Sequence, residues 1–137
     1  MAIANPNKIV RDYLTTSSTA TDPLIALVSL RIYSPSLAKN ATLPAISYLS
    51  RGGNANPHIP GILDMSYQFK CYAATMIAAK NVYLKLYDAL QGKQNIDVGS
   101  YQIKLSSEEV QGQDIEDTEI PGYPYVLTFF RIMIKAE

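Results

Sequence analysis

Six carboxylates gather within twelve residues, Glu108, Glu109, Asp114, Glu116, Asp117 and Glu119, with no Lys or Arg among them. Acids this dense could hold calcium, but a calcium loop places them at alternate positions around a central glycine and closes on a glutamate. Asp114 and Glu116 begin such a series; Thr118 and Glu119 do not complete it. Carboxylate hydrolysis needs two groups whose environments set their pKa values apart, which adjacent glutamates in a loop do not supply. The segment therefore reads as a solvated loop, or as a charged surface that repels nucleic acid or meets a basic partner.

His58 is the only histidine and lies in a Gly/Pro-rich stretch, far in sequence from any acid that could orient it as a base. Cys71 is the only cysteine, so an intrachain disulfide and a thiolate zinc cluster are both excluded. It falls at an apolar position of an alternating segment and reads as a small core residue. Gly52 and Gly53 are not followed by the Lys-Ser or Lys-Thr of a phosphate loop. The sequence thus nominates no catalytic residue, no metal site and no cofactor.

The elements that must position these residues follow from periodicity and punctuation. Asn5 and Pro6 open a helix, Pro6 to Leu14, with Ile9, Val10, Tyr13 and Leu14 on one face. Asp22-Pro23 repeats that signal ahead of Leu24, Ile25, Leu27 and Val28, predicting a short second helix. Arg31 to Tyr33 suggests a short strand, and residues 36–43 a loop. Ala45 to Arg51 and Ile62 to Ala73 read as strands joined by a turn-rich linker, Gly52 to Gly61. In the second of these, Met65, Tyr67, Phe69 and Cys71 alternate with Ser66, Gln68, Lys70 and Tyr72, as in an antiparallel sheet covered on one side. Thr75 caps a long amphipathic helix carrying Ala79, Val82, Tyr83, Leu86 and Leu90, ended by Gly92. Tyr101, Ile103 and Leu105 mark another strand. Tyr125 to Ile134 is apolar except for Thr128 and Arg131, which predicts a strand that is either central or buried on both faces. The fold class expected is α+β: a mostly antiparallel mixed sheet with an N-terminal helix and one long amphipathic helix packed on one face.

At 137 residues the chain suits one domain, 1–137. Twelve Lys plus Arg balance twelve Asp plus Glu. Neutrality argues against a dedicated nucleic-acid or anionic-membrane binder and leaves little repulsion between copies. No basic region precedes an apolar core at the N-terminus, and no run approaches the roughly 18 apolar residues of a spanning helix. The reading is of a chain that is neither exported by signal nor membrane-embedded. Ten tyrosines without a tryptophan supply amphipathic contact area.

The segment Asp22 to Pro35, containing Arg31-Ile32-Tyr33, followed by Leu43-Pro44-Ala45-Ile46, resembles the tail-completion or tail-terminator family of long-tailed, siphophage-type bacteriophages. That family has an N-terminal helix, an Arg-Ile/Val-Tyr-Pro segment, a Leu-Pro-x-Ile/Val lead into the next strand, a long amphipathic helix after the central strands, and an apolar last strand. All five occur here in order, over roughly residues 5–135; Ser34 between Tyr33 and Pro35 departs from the pattern.

The resemblance implies a structural virion protein of the tail or neck, assembled in the host cytoplasm. It would form a homo-oligomer, a hexameric ring that caps the tail tube and meets head–tail connector proteins, with DNA passing through the lumen without specific binding. No catalytic residue is carried over. The candidate interaction loops are then Arg51, Asn54, Asn56 and His58 in one segment, and Glu108, Glu109, Asp114, Glu116, Asp117 and Glu119 in the other. The competing readings are another neck protein, a head-closure or connector-adaptor subunit; a small enzyme using Asp64, Arg131 or tyrosines; and an adaptor that binds peptides along an open sheet edge.

Overall fold

The computed structural model describes residues 5–34, 42–55, 58, 61–116 and 124–135. Among the described residues, three helices and six strands follow one another as α1 (Pro6–Thr15), α2 (Asp22–Val28), β1 (Ile32–Tyr33), β2 (Ala45–Ala55), β3 (Ile62–Tyr72), α3 (Met76–Leu90), β4 (Lys93–Val98), β5 (Tyr101–Glu116) and β6 (Pro124–Lys135). The strands form one mixed sheet in the order β1-β2-β3-β6-β5-β4. Every pairing is antiparallel except β1 with β2. The α+β expectation holds.

The helix starts follow the capping chemistry. Asn5 Oδ1 accepts the Asn7 N–H at 3.0 Å, and Thr75 Oγ1 accepts the Ala78 N–H at 3.2 Å. Beyond α3, Gly92 turns the chain at φ +67, where a side chain would be strained. In α2, Asp22 is already the first helical residue and its carboxylate accepts the Ser17 hydroxyl at 2.7 Å.

One sheet face carries the core. The register aligns Tyr67 with Phe130, Phe69 with Thr128 and Cys71 with Val126, and all six are fully buried. Phe69 stacks on Tyr48 at 5.8 Å between centroids and meets Phe130 edge-on at 5.7 Å. The buried tyrosines use their hydroxyls to fasten helices to this layer. Tyr48 Oη donates to Asn7 O at 2.7 Å and Tyr67 Oη to Asn7 Oδ1 at 3.0 Å, while Tyr13 Oη donates to Ala89 O at 2.6 Å and so ties α1 to α3. Much of the tyrosine content is therefore core rather than contact surface. Burial drives the Tyr48 phenol up to about 12.

β6 is central, between β3 and β5, the first of the two placements its composition allowed; Val126, Thr128, Phe130, Ile132 and Ile134 are buried while the alternating residues are partly open. Two sequence expectations need correction. β4, which the sequence did not signal, lengthens the sheet. The supposed loops at Gly52–Ala55 and Glu108–Glu116 are strand, the ends of β2 and β5.

The segment behind the family resemblance acts as a staple. The Arg31 guanidinium donates to Pro44 O at 2.9 Å and Leu27 O at 3.1 Å, and Ile46 N donates to Arg31 O at 3.0 Å. These bonds tie the end of α2 to the start of β2. Ile32, almost wholly buried, lies beside Ile46.

Ser106 Oγ is buried without a hydrogen-bond partner among the described residues. An unmet hydroxyl gives up hydration for nothing, so Ser106→Ala is expected to leave stability unchanged or raise it, by no more than about 1 kcal/mol. Urea unfolding of the two proteins measures this directly.

Candidate interaction surface

β5 divides the acidic residues between two faces of the sheet. Glu108 points to the helix side, where its Oε2 accepts the Tyr83 hydroxyl at 2.7 Å and faces the Thr128 hydroxyl at 2.8 Å. Thr128 Oγ1 has a second acceptor, Val110 O, at 3.0 Å. Tyr83 Oη in turn accepts the Gly112 N–H at 3.2 Å, and Gln91 Oε1 accepts the Glu108 N–H at 2.7 Å. Burial first, and the Glu108 carboxylate second, push the Tyr83 phenol up to about 12. Glu108 is thus a structural acceptor joining α3 to β5 and β6, not a loop contact.

Gly112 makes this packing possible. A Cβ there would lie 2.7 Å from Val126 Cγ1 and 2.8 Å from Tyr83 Cζ.

Asp114, on the same side, pairs with Lys80 Nζ at 3.1 Å. Both side chains are substantially exposed, so the pair contributes little to stability. Glu109 faces the opposite, open side of the sheet, where it accepts the Ser66 hydroxyl at 2.7 Å. Beside it Arg131 makes a two-pronged pair with Asp64, Nε to Oδ1 at 2.7 Å and Nη2 to Oδ2. Arg51 completes this open-face group, its guanidinium 4.8 Å from the centre of the Phe129 ring.

Asn54 lies in β2 and Glu116 ends β5. His58 is exposed. Asn56, Asp117 and Glu119 lie outside the described residues. Among the described residues, no three His, Cys, Asp or Glu side chains converge as metal ligands.

The Arg131 hydrogen bonds hold the Asp64 carboxyl below its ordinary value of 3.8, with burial opposing and the guanidinium charge assisting. Between the lowered value and 3.8 the unfolded chain binds more protons than the folded one. The pair's contribution is therefore fully present above pH 3.8 and lost as pH falls through the lowered value. Arg131→Met should flatten the acid limb of the stability curve, read by urea unfolding from pH 2.5 to 6, with the limb above about pH 5 parallel to the parent.

The Asp64–Arg131 pair is mutually satisfied on an open face, an arrangement unlike the cleft of convergent groups that the enzyme reading required. Two grooves lie elsewhere. One, about 470 Å³, runs between α1 and the β4–β5 turn over Tyr13, Ile96, Val98 and Tyr101. The other, about 260 Å³, lies between α3 and β5 over Tyr83, Leu84 and Tyr87.

Sequence reasoning found Glu108 and Glu109 as acids but not their opposite orientations. It also missed Tyr83, Gln91 and Gly112 as their structural complement. The usable signal was Thr128, a lone small polar residue in an otherwise apolar strand, which demands a buried acceptor.

No protein-family model matches the chain, and no curated protein does. Among solved structures, a chain from the "Virion of native gene transfer agent (GTA) particle" shares the fold, with a TM-score of 0.59. The likeness covers 93% of this chain and 91% of that one at 14% sequence identity.

Proposed function

We propose that this chain is a structural virion protein of a phage-type particle and, within that class, a tail terminator or tail-completion subunit. Residues 1–137 would form one tail-terminator-like domain. Its copies form a ring of six that caps the tail tube and meets the head connector, while DNA passes through without specific binding. It is assembled in the host cytoplasm, acts in the tail or neck of the virion, and carries no catalysis. The observation that supports this best is the shared fold with a chain of a gene transfer agent virion, extending over 93% of the present chain. The ordered motifs, from Arg31-Ile32-Tyr33 through Leu43-Pro44 to the apolar β6, point the same way.

On this reading Arg51 and Glu109 are members of the nominated set that are exposed on the open sheet face. Mass measurement in solution, then electron microscopy with and without tail tubes, tests the assignment. Rings of six at tube ends support it. Rings of twelve bound to a connector would transfer the chain to a different neck position, and a monomer that ignores tubes and connectors alike would end the reading.

A further inference from the structure

The larger groove runs along a free sheet edge. β4 is the last strand of the sheet, and the two-residue turn Gly99–Ser100 joins it to β5 with Val98 opposite Tyr101. In a hairpin of that length the flanking pair exchanges both backbone bonds, and the bonding alternates from there. Val98 and Ile96 therefore bond inward to β5, while the N–H and C=O of Asp97 point outward. Among the described residues no backbone bond reaches that outer edge. An unpaired row of this kind is a template for another strand.

The side chains specify which strand. Ile96, Asp97 and Val98 all line the groove, although neighbours in a strand point to opposite faces; the groove therefore opens onto the edge itself. Ile96 and Val98 lie on the helix side, against the core, and with Tyr13 and Tyr101 they give the groove an apolar floor. The Tyr13 ring is fixed there by its hydroxyl bond to Ala89 O at 2.6 Å. Asp97 points to the opposite face, where its exposed carboxylate accepts the Gln102 amide at 3.1 Å. Among the described residues no cation pairs with it, since the groove's lysine, Lys8, is taken by Asp12 at 2.8 Å. A guest strand on this edge meets apolar surface on one face and an uncompensated carboxylate on the other. Alternating apolar and basic residues satisfy both.

The edge is also short. Asn95 at φ +52 and Gly99 at φ +61 turn the backbone on either side of Asp97, which leaves Ile96 to Val98 straight. That is room for the tip of an arm and too little for sheets to stack indiscriminately. The volume, about 470 Å³, falls within the roughly 300–1,000 Å³ of ordinary ligand clefts.

We propose that the groove between α1 and β4 takes an extended segment of another protein, added to β4 as a further strand. Its apolar side chains lie over Tyr13, Ile96 and Val98, and a Lys or Arg stands beside Asp97. Main-chain bonds to Asp97 supply affinity, and the two faces supply specificity. For a virion subunit this is a socket for a partner's arm, and it does not depend on how many copies of the chain assemble.

The probe is the peptide acetyl-Lys-Val-Lys-Val-Lys-Val-amide, titrated into the isotope-labelled protein and followed by amide NMR. Saturable shifts should centre on Ile96 to Gly99, and the Asp97 amide should exchange more slowly as its N–H gains an acceptor. Methylating the backbone nitrogens of the peptide's lysines, which face β4, should weaken binding about 10-fold or more; methylating those of its valines, which face away, should not. Asp97→Lys should weaken binding about 10-fold or more at an unchanged melting temperature, and Asp97→Asn about 3-fold. The absence of saturable shifts at millimolar peptide, equal binding of the two methylated forms, or shifts centred away from α1 and the β4–β5 hairpin would overturn the proposal. The same amides shifting with protein concentration alone would give the groove to a second copy and overturn it as well. Sedimentation of the peptide-free protein reads the ring assignment separately, so either reading can fail while the other stands.

Discussion

Phe69→Ala is expected to destabilise the protein by about 3–5 kcal/mol, the largest loss from any single truncation of the aromatic layer. Phe69 is fully buried and touches three other rings, Tyr48, Tyr67 and Phe130, at centroid distances of 5.8, 6.4 and 5.7 Å. Alanine removes both the transferred apolar area and the contacts that three neighbours make with the ring. The surrounding strands are held in register from Ile62 to Tyr72, so they cannot close on the space. Tyr48 and Tyr67 also carry the hydroxyls that hold α1 through Asn7, which couples the cavity to the N-terminal helix. Equilibrium urea unfolding gives the number. A loss under about 1 kcal/mol would mean that the layer repacks freely, contrary to the close-packed interior described.

Gly53→Ala is expected to cost about 2–4 kcal/mol, although the position is exposed. A Cβ there would lie 1.9 Å from Asp64 O and 2.7 Å from Met65 Cα, both backbone atoms of β3. A rotamer change cannot relieve a backbone contact, so β2 must lift from β3 around the Gly53–Met65 pairing. The neighbouring glycine supplies the control. A Cβ on Gly52 would meet nothing within 4 Å, but the residue sits at φ +79. Gly52→Ala should therefore cost only the backbone strain, about 1–2 kcal/mol. Thermal and urea unfolding of the two variants separate collision from strain, and equal losses would refute the distinction.

What the sequence disclosed depended on whether a side chain or a backbone carried the signal. α1 and α3 were legible because Asn5 and Thr75 cap them and their apolar residues recur at helical spacing. β3 was legible because its core side is strictly alternate. β4 was not, since Lys93 to Val98 exposes much of its length and contains Asn95 at positive φ. The far half of β5 looked like a loop for a related reason. Its pairing rests on backbone bonds to β6, which is apolar enough for both, and a strand with one bare edge can carry Glu109, Gln111 and Gln113 in water. The acids were visible as a cluster, but face assignment depends on register. The bulges between Glu108 and Gln113 break the simple alternation by which register is read from sequence.

The position of Cys71 gives the protein a reporter of its own integrity. The thiol is fully buried between Ile46 of β2 and Val126 of β6, and burial pushes its pKa well above the ordinary thiol value. The chain has no second cysteine to compete with it. A thiol reagent in solution can reach it only when the middle of the sheet parts, so its labelling rate counts openings of the central strands rather than fraying at the flanks. Any association that steadies those central strands would register as a slower count, with no probe added to the surface.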